Sequence, residues 1–269
     1  MHSPSRKFNK QKAFGQHFLK DASIIDEITN AAIDSLSRYP NASLLEIGPG
    51  KGALTLPLFN KLKPETRLII AERDRDLIEE WKRAGRINQL LEGDFLDHSH
   101  EVLHGLGQCV VVSNLPYSAG TAIVVKLVEA GNQFPEMTLM FQAEVAKRLY
   151  AEPSTPDRGS LSLYIQNYFD VKKLLVAKPG AFNPPPKVMS EVVKLTYRKD
   201  PHVLTDTDEK KKAWDELLKT AFAHRRKMLR GNLSSSSWKT AFDQSGVDPT
   251  RRAESLTWEE WKAVWNARF

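Results

Sequence analysis

A short apolar run, residues 110–113, is followed by the tetrapeptide Asn114, Leu115, Pro116 and Tyr117. The side-chain oxygen of Asn114 and a main-chain carbonyl fixed by Pro116 can both accept hydrogen bonds from the exocyclic amine of a nucleobase. The Tyr117 ring can stack on that base. Such an amine is a poor nucleophile because its lone pair is delocalised, and two acceptors would hold the nitrogen closer to tetrahedral, facing an electrophile. The tetrapeptide therefore predicts a catalytic site for a base amine; a plain β-turn is the alternative.

A glycine-rich loop follows an earlier apolar run, in the segment "LLEIGPGKGALT". Gly48, Gly50 and Gly52 let the backbone turn tightly and approach a ligand, and a helix starting at about Gly52 would offer free N–H groups. Glu72, followed by Arg73, ends the next predicted strand, where a carboxylate accepts hydrogen bonds from ribose hydroxyls. This pattern predicts a nucleotide-type ligand. A glycine turn without a ligand is the alternative.

The residues around the loop limit the possible types of ligand but do not identify one. Gly48, Gly50 and Ala53 also satisfy the G-x-G-x-x-G/A pattern of dinucleotide-binding proteins. In "EGDFLD", Asp94 is placed to accept a hydrogen bond from an adenine amino group, and Phe95 to stack on the adenine. A helix N-cap is the alternative role for Asp94.

From residue 44 onward, apolar runs rich in β-branched residues alternate with helical patterns. This alternation predicts an α/β fold in which a parallel sheet carries helices on both faces. The predicted strands are almost continuously apolar, as strands covered on both faces must be. In an open sheet of this kind, ligands bind beyond the carboxyl ends of the strands, which is where the glycine loop and the Asn114 tetrapeptide fall.

The last part of the chain has a different pattern. Two strand-like runs flank "PGAFNPPPKVM", whose consecutive prolines predict a rigid exposed loop. After Asp200 the pattern is helical, and one helical stretch is predicted to continue through "HRRKMLR". We therefore predict three segments: a basic arm at 1–20 that leads into the ligand pocket, an α/β domain at 21–200, and a small helical domain at 201–269.

The net charge is +6, and its distribution indicates a polyanionic partner. Residues 1–20 carry basic residues and no acid, and a second basic group lies in the helical domain. A solvated surface is the alternative, because charge alone does not identify a partner. The residues predicted to bind nucleic acid are Lys10, Lys12, Arg225, Arg226, Lys227 and Arg230.

The single cysteine, Cys109, excludes an internal disulfide and a thiolate metal cluster, and we expect it to be a buried apolar residue. No run approaches the 18 or so apolar residues of a membrane span, and the N-terminal residues lack the apolar core of a signal peptide. We therefore expect a cytoplasmic protein that does not contact a membrane.

Five segments, "FGQHFL", "EIGPGKGALT", "GDFLD", "NLPY" and "FNPPPKV", occur in the order found in rRNA adenine N6-dimethyltransferases. The chain resembles the bacterial, small-subunit KsgA type over nearly its whole length, from about Phe14 onward, including "AFAHRRKMLRGNL" in the helical domain. This resemblance implies a Rossmann-like fold with a seven-stranded, mostly parallel sheet. It also implies a monomer that uses S-adenosylmethionine (SAM) and no metal, and that dimethylates two adjacent adenines in the 3′-terminal hairpin loop of 16S rRNA.

The resemblance also implies roles for individual residues. It places a donor contact at Gly48, a ribose contact at Glu72, methyl transfer at Asn114, and stacking on the target base at Phe182. The remaining donor-site residues that it implies are His17, Leu19 and Asp94; Arg73 and Phe95 are also predicted to bind the donor.

The chain departs from the family pattern at two places. His17 stands where many members have asparagine, and Ser118, Ala119 and Gly120 replace a bulkier run. Three other functions compete with the one implied. They are a resistance-type methyltransferase acting on 23S rRNA, a non-catalytic RNA-binding assembly or transcription factor, and an NAD-dependent oxidoreductase, which would leave the Asn114 tetrapeptide and the basic residues unexplained.

Overall fold

A computed structural model describes residues 17–85 and 87–269 of the chain. Its strands are β1 (Phe18–Leu19), β2 (Ser43–Ile47), β3 (Leu68–Glu72), β4 (Gln89–Glu92), β5 (Cys109–Asn114), β6 (Glu136–Gln142), β7 (Phe169–Ala177), β8 (Phe182–Asn183) and β9 (Ser190–Tyr197). Its helices are α1 (Ala22–Arg38), α2 (Thr55–Lys61), α3 (Arg75–Ala84), α4 (His100–His104), α5 (Gly120–Glu129), α6 (Ala143–Leu149), α7 (Ser160–Tyr168), α8 (Asp208–Ala221), α9 (Leu229–Leu233), α10 (Lys239–Gln244) and α11 (Trp258–Asn266).

The main sheet has seven strands in the order β4-β3-β2-β5-β6-β9-β7. The pairs from β4 to β6 are parallel, whereas β9 runs antiparallel to both β6 and β7. The strand order reverses between β2 and β5, so the crevice at their carboxyl ends is the expected ligand site of a doubly wound sheet. The mostly parallel sheet confirms the predicted fold class.

The strands are buried because helices cover both faces of the sheet. Every residue of β2 is buried, and so is β5 from Cys109 to Ser113. Two apolar clusters form the core, one on each side of these strands, and Val111 and Val112 of β5 belong to different clusters because successive side chains alternate between faces. This packing fixes the strand ends that carry the candidate site.

A third apolar cluster lies in the helices after Asp200. Trp214, Trp238 and Trp261 are its largest fully buried side chains, and Leu163 of α7 also packs into it. The division of the chain near residue 200 remains a prediction, since α7 contributes to this cluster as well as to the core of the sheet.

The predicted long helix through "HRRKMLR" is not formed. Helix α8 ends at Ala221, residues 222–227 form turns, and α9 begins only at Leu229. No glycine or proline ends the helix here. The turn is stabilised by tertiary contacts: Leu229 is buried, and its N–H donates to the Arg251 carbonyl at 2.8 Å. The prediction of one continuous helix is therefore wrong, and Arg226 and Arg230, four residues apart, do not lie on one helical face.

Within the described residues, the helices are too short or too polar to cross a bilayer. The same residues contain no group of three or more His, Cys, Asp and Glu side chains with the geometry of a metal site.

Candidate active site

A cleft opens at the carboxyl ends of the parallel strands. It encloses about 1010 Å³ of empty space, part of which is open to solvent. Twelve of the predicted site residues line it: His17, Leu19, Gly48, Gly50, Glu72, Arg73, Asp94, Phe95, Asn114, Leu115, Pro116 and Tyr117. The structure thus brings the N-terminal motif, the glycine loop, the acidic strand ends and the Asn114 tetrapeptide into one site.

The glycine loop connects β2 to α2 through left-handed backbone. Gly48 has φ +66°, and no atom lies within 4 Å of the place where a Cβ would stand, so this side of the loop is open to a ligand. The expected free N–H groups are only partly available, because the Gly48 N–H donates to the Ala71 carbonyl and the Gly52 N–H to the Pro49 carbonyl. The helix also begins at Thr55, later than predicted, since residues 51–54 form a turn.

The Glu72 carboxylate is held rigidly at the end of β3. Its Oε1 accepts hydrogen bonds from the Arg73 and Asp74 N–H groups at 2.8 and 2.9 Å, and its Oε2 accepts one from the Gly50 N–H at 3.2 Å. The residue is only 4% exposed, yet it lines the cleft. Each carboxylate oxygen can accept more than one hydrogen bond, so Glu72 remains able to accept from a ligand hydroxyl.

Asp94 forms the N-cap that was the alternative role for it, and its acceptor role toward an adenine amino group remains a prediction. Its Oδ1 caps the 3₁₀ turn that follows β4 by accepting from the Leu96 N–H at 3.0 Å, and its Oδ2 pairs with Arg73 at 3.3 Å. The cap fixes the carboxylate at the cleft wall. Phe95 beside it is only 4% exposed, and its ring packs into the core as well as lining the cleft.

Glu46 is a buried carboxyl of the site that makes few polar contacts. It lies inside β2, is 2% exposed, and its Oε2 has no hydrogen-bond partner among the described residues. Burial, and secondarily the nearby Glu72 charge, raises the pKa of this carboxyl to about 8. Glu46 is therefore protonated at neutral pH in the ligand-free protein.

The Asn114 tetrapeptide forms a rigid corner between β5 and α5. Asn114 is the last residue of β5, and its Nδ2 donates to the His17 carbonyl at 3.3 Å. The Pro116 carbonyl accepts the Ala119 and Gly120 N–H groups at 3.0 and 2.9 Å, which starts the helix. The corner is thus braced on one side by a side-chain hydrogen bond to the backbone and on the other by main-chain hydrogen bonds.

The ring of Tyr117 is oriented by a residue that the sequence did not point to. Its hydroxyl shares a 2.5 Å hydrogen bond with the hydroxyl of Ser190, a fully buried residue at the start of β9. Burial also raises the pKa of the Tyr117 phenol, so the hydroxyl stays protonated. The two residues are 73 positions apart, and only the "PKVMS" end of the proline loop could have hinted at the contact.

Phe182 does not line the cleft. Its ring is 1% exposed and packs in the core cluster on the α1 side of the sheet. The short strand β8 turns Phe182 inward and Asn183 outward, because neighbouring side chains of a strand point to opposite faces. The predicted base-stacking role is therefore not supported, since a stacking ring must present a face to the base.

Residues 7–267 match the family described as ribosomal RNA adenine dimethylase. The chain belongs to this family. As a ribosomal RNA adenine dimethylase it is a SAM-dependent methyltransferase, which excludes the NAD-dependent oxidoreductase.

Curated relatives of this dimethylase carry the name ribosomal RNA small subunit methyltransferase A. One, from Nitrosomonas eutropha, is 37% identical over 255 residues, which cover 94% of this chain and 95% of the relative. Another, from Saccharophagus degradans, is 38% identical over 267 residues, which cover 96% of this chain and 94% of the relative.

Two crystal structures share its fold. A dimethyladenosine transferase from Plasmodium falciparum has a TM-score of 0.70 and 25% identity, and the match covers 92% of this chain and 96% of that one. The 23S rRNA methyltransferase ErmE has a TM-score of 0.66 and 22% identity, with coverage of 93% and 98%. The likeness to ErmE shows the fold alone.

The described residues of the dimethylase fit its methyl donor. Asp94, Glu72 and Gly48 lie at the carboxyl ends of β4, β3 and β2, which are neighbours in the sheet, and they form the donor wall of the cleft. Asn114 ends the next strand, β5. A nucleoside with a charged side chain needs hydroxyl acceptors, an amine acceptor and an apolar surface, and this wall supplies them.

The predicted RNA-binding residues that the structure describes are not among those that line the cleft. His224, Arg226, Lys227 and Arg230 are exposed. Arg225 is also exposed, but its guanidinium donates to the Pro156 and Arg158 carbonyls at 2.5 and 3.0 Å. Arg225 therefore fastens the turn after α8 to the loop before α7. Lys10 and Lys12, with most of the predicted basic arm, lie outside the described residues.

Proposed function

We propose that this enzyme transfers methyl groups from SAM to N6 of two adjacent adenines in the 3′-terminal hairpin loop of 16S rRNA. The observation that carries the proposal is the position of the Asn114 corner in the same cleft as Glu72 and Asp94. The names of the curated relatives support the small subunit as the target. The likeness to a 23S rRNA methyltransferase, at 22% identity, gives no support for the large subunit.

The corner prepares the target amine for attack. The Nδ2 of Asn114 faces His17, so the Oδ1 of Asn114 is the acceptor for one N–H of the adenine amine. The Pro116 carbonyl is occupied, so the second acceptor is the Leu115 carbonyl, which the following proline fixes. Tyr117, oriented by Ser190, stacks on the adenine.

Positioning supplies most of the rate enhancement. SAM supplies a methyl group on a positively charged sulfur. Asn114 and Leu115 stabilise the positive charge that develops on the nitrogen as its geometry becomes tetrahedral. No strong base is required, because the cationic nitrogen loses its proton readily once the new bond is formed.

The donor is held by the wall that runs from the glycine loop to Asp94. Glu72 accepts from the ribose hydroxyls, and Asp94 accepts from the amino group of the donor's adenine. Gly48 and Gly50 allow close approach of the backbone, and Phe95, Leu19 and Arg73 complete the surface.

The rRNA is held by basic residues outside the cleft. Arg226, Lys227 and Arg230 are exposed and free to contact phosphates, while Arg225 supports their turn. Phosphate contacts of this kind fix the register of the RNA but do not read its sequence. The enzyme acts in the cytoplasm as a monomer, with Lys10 and Lys12 as a second phosphate contact.

One experiment tests the proposed function. The protein is incubated with labelled SAM and, in separate reactions, with unmethylated small subunits, large subunits and naked rRNA, and the products are mapped by mass spectrometry. We expect two adjacent dimethyladenines in the small-subunit RNA. Label only in the large subunit, or label on a single adenine elsewhere, contradicts the proposal.

A further inference from the structure

His17 connects three parts of the candidate site. Its ring Nδ1 lies 2.8 Å from the Pro184 carbonyl oxygen, its own carbonyl accepts from Asn114 at 3.3 Å, and its ring lies 5.5 Å from the Tyr117 ring, centroid to centroid. The first contact is with the proline loop, and the other two are with the catalytic corner. No other residue in the described part of the chain makes hydrogen bonds to both.

The chemistry of the acceptors fixes the direction of both hydrogen bonds. A proline carbonyl can only accept, so the hydrogen of the His17 ring must be on Nδ1. The His17 carbonyl can also only accept, so the amide nitrogen of Asn114 must face it. Asn114 could otherwise rotate its amide and present a donor to the target amine, which already carries hydrogens.

We propose that His17 is a positioning residue that fixes the orientation of the Asn114 amide. The bond to Pro184 holds residue 17 against the proline loop, next to the pairing of β1 with β8, in which Leu19 lies opposite Phe182. Held in this way, the His17 carbonyl keeps the Asn114 Oδ1 directed toward the adenine amine. The inference rests on the proposed function, and it adds a role for His17 beyond lining the donor site.

The side-chain requirement at this position is specific. The amide nitrogen of asparagine occupies nearly the same place as histidine Nδ1, one bond beyond Cγ, whereas the amide nitrogen of glutamine lies one bond farther out. Asparagine at position 17 can therefore donate to the Pro184 carbonyl, and glutamine and alanine cannot do so without moving the backbone. Comparing asparagine, glutamine and alanine at position 17 therefore distinguishes the effect of the hydrogen bond from the effects of side-chain size and polarity.

The experiment compares His17→Asn, His17→Gln and His17→Ala with the wild type. For each protein, kcat is measured at saturating SAM and rRNA, the Kd of SAM is measured by calorimetry, and folding is checked by thermal unfolding. We expect His17→Asn to retain most of the wild-type kcat. His17→Gln and His17→Ala should lose up to about 10²-fold in kcat, because small misplacements of reacting groups have effects of this size.

Several results would overturn the inference. Equal losses of kcat in all three variants would show that the Nδ1 hydrogen bond is not what matters. A rise in the Kd of SAM with kcat unchanged would make His17 a donor contact only, and a large fall in Tm would make it a folding residue. Absence of methylation by the wild type itself would refute the proposed function instead.

Discussion

Replacing Glu46 with glutamine tests whether a protonated carboxyl lies beneath the donor site. The side chain is buried inside β2, and burial raises its pKa to about 8 from an ordinary value of 4.5. Glutamine has the same shape and carries no titrating proton. The substitution therefore removes the ionisation while leaving the packing nearly unchanged.

The sign and size of the effect follow from the two pKa values. Below pH 4.5 the carboxyl is protonated in both the folded and the unfolded chain, so it does not contribute to the pH dependence of the free energy of unfolding. Between pH 4.5 and 8 the unfolded chain has lost this proton and the folded protein has kept it, so the free energy of unfolding falls as pH rises. The slope is about 1.4 kcal/mol per pH unit, or about 3 kcal/mol in total between pH 5.5 and 8.

The assay is urea unfolding of both ligand-free proteins at several pH values from 5.5 to 8. We expect the stability of Glu46→Gln relative to wild type to increase by about 3 kcal/mol over this range. Glu65→Gln, at an exposed loop position, is the control for loss of one charge. Its free energy of unfolding should differ from that of the wild type by the same amount at every pH. If the difference in free energy of unfolding between Glu46→Gln and the wild type is also the same at every pH, Glu46 is not protonated in the folded protein.

Three further predictions concern other parts of the molecule. Phe182→Ala should lower the free energy of unfolding by about 3–5 kcal/mol, as expected for a core aromatic, and urea unfolding checks it; a stable but inactive variant would restore the stacking role. Arg226→Ala with Arg230→Ala should weaken small-subunit binding and reduce the slope of log affinity against log salt by up to about 0.9 per lost phosphate contact, measured in salt titrations; an unchanged slope would place both residues on a solvated surface. Glu72→Ala should raise the Kd of SAM in calorimetry while leaving rRNA affinity unchanged, and an unaltered Kd would remove Glu72 from the donor site.

The position of the site was predictable because its motifs lie at strand ends. Asn114 follows a run of buried residues in β5, and Glu72 ends β3, so a parallel sheet must bring them to one edge. The helix α1 was not predicted, although Asp21 caps it by accepting from the Ser23 and Ile24 N–H groups. That signal is local and could have been read from the sequence.

Other features depend on contacts that no local pattern shows. The inward direction of Phe182 is set by a strand of only two residues, too short for alternation to be recognised. The end of α8 at Ala221 carries no glycine or proline, and Arg225 is fixed by carbonyls far away in the sequence.

The departure at Gly120 has a simple spatial reason. A Cβ at this position would lie 3.2 Å from the Phe141 ring, so a side chain here would fit only after the ring shifts by a few tenths of an ångström. The identity of residue 120 is thus set by its neighbour on another strand, which the sequence of the tetrapeptide does not reveal.

The most direct test of the whole account is single-turnover methylation of unmethylated small subunits by Asn114→Ala. The account predicts a rate of methyl transfer about 10²–10³-fold below that of the wild type, because a transition-state hydrogen bond is lost. The Kd values for SAM and for the subunit should stay close to wild type, since the Asn114 amide acts mainly as the nitrogen becomes tetrahedral. Dimethyladenine formed by Asn114→Ala at nearly the wild-type rate would contradict the central claim that this corner activates the adenine amine.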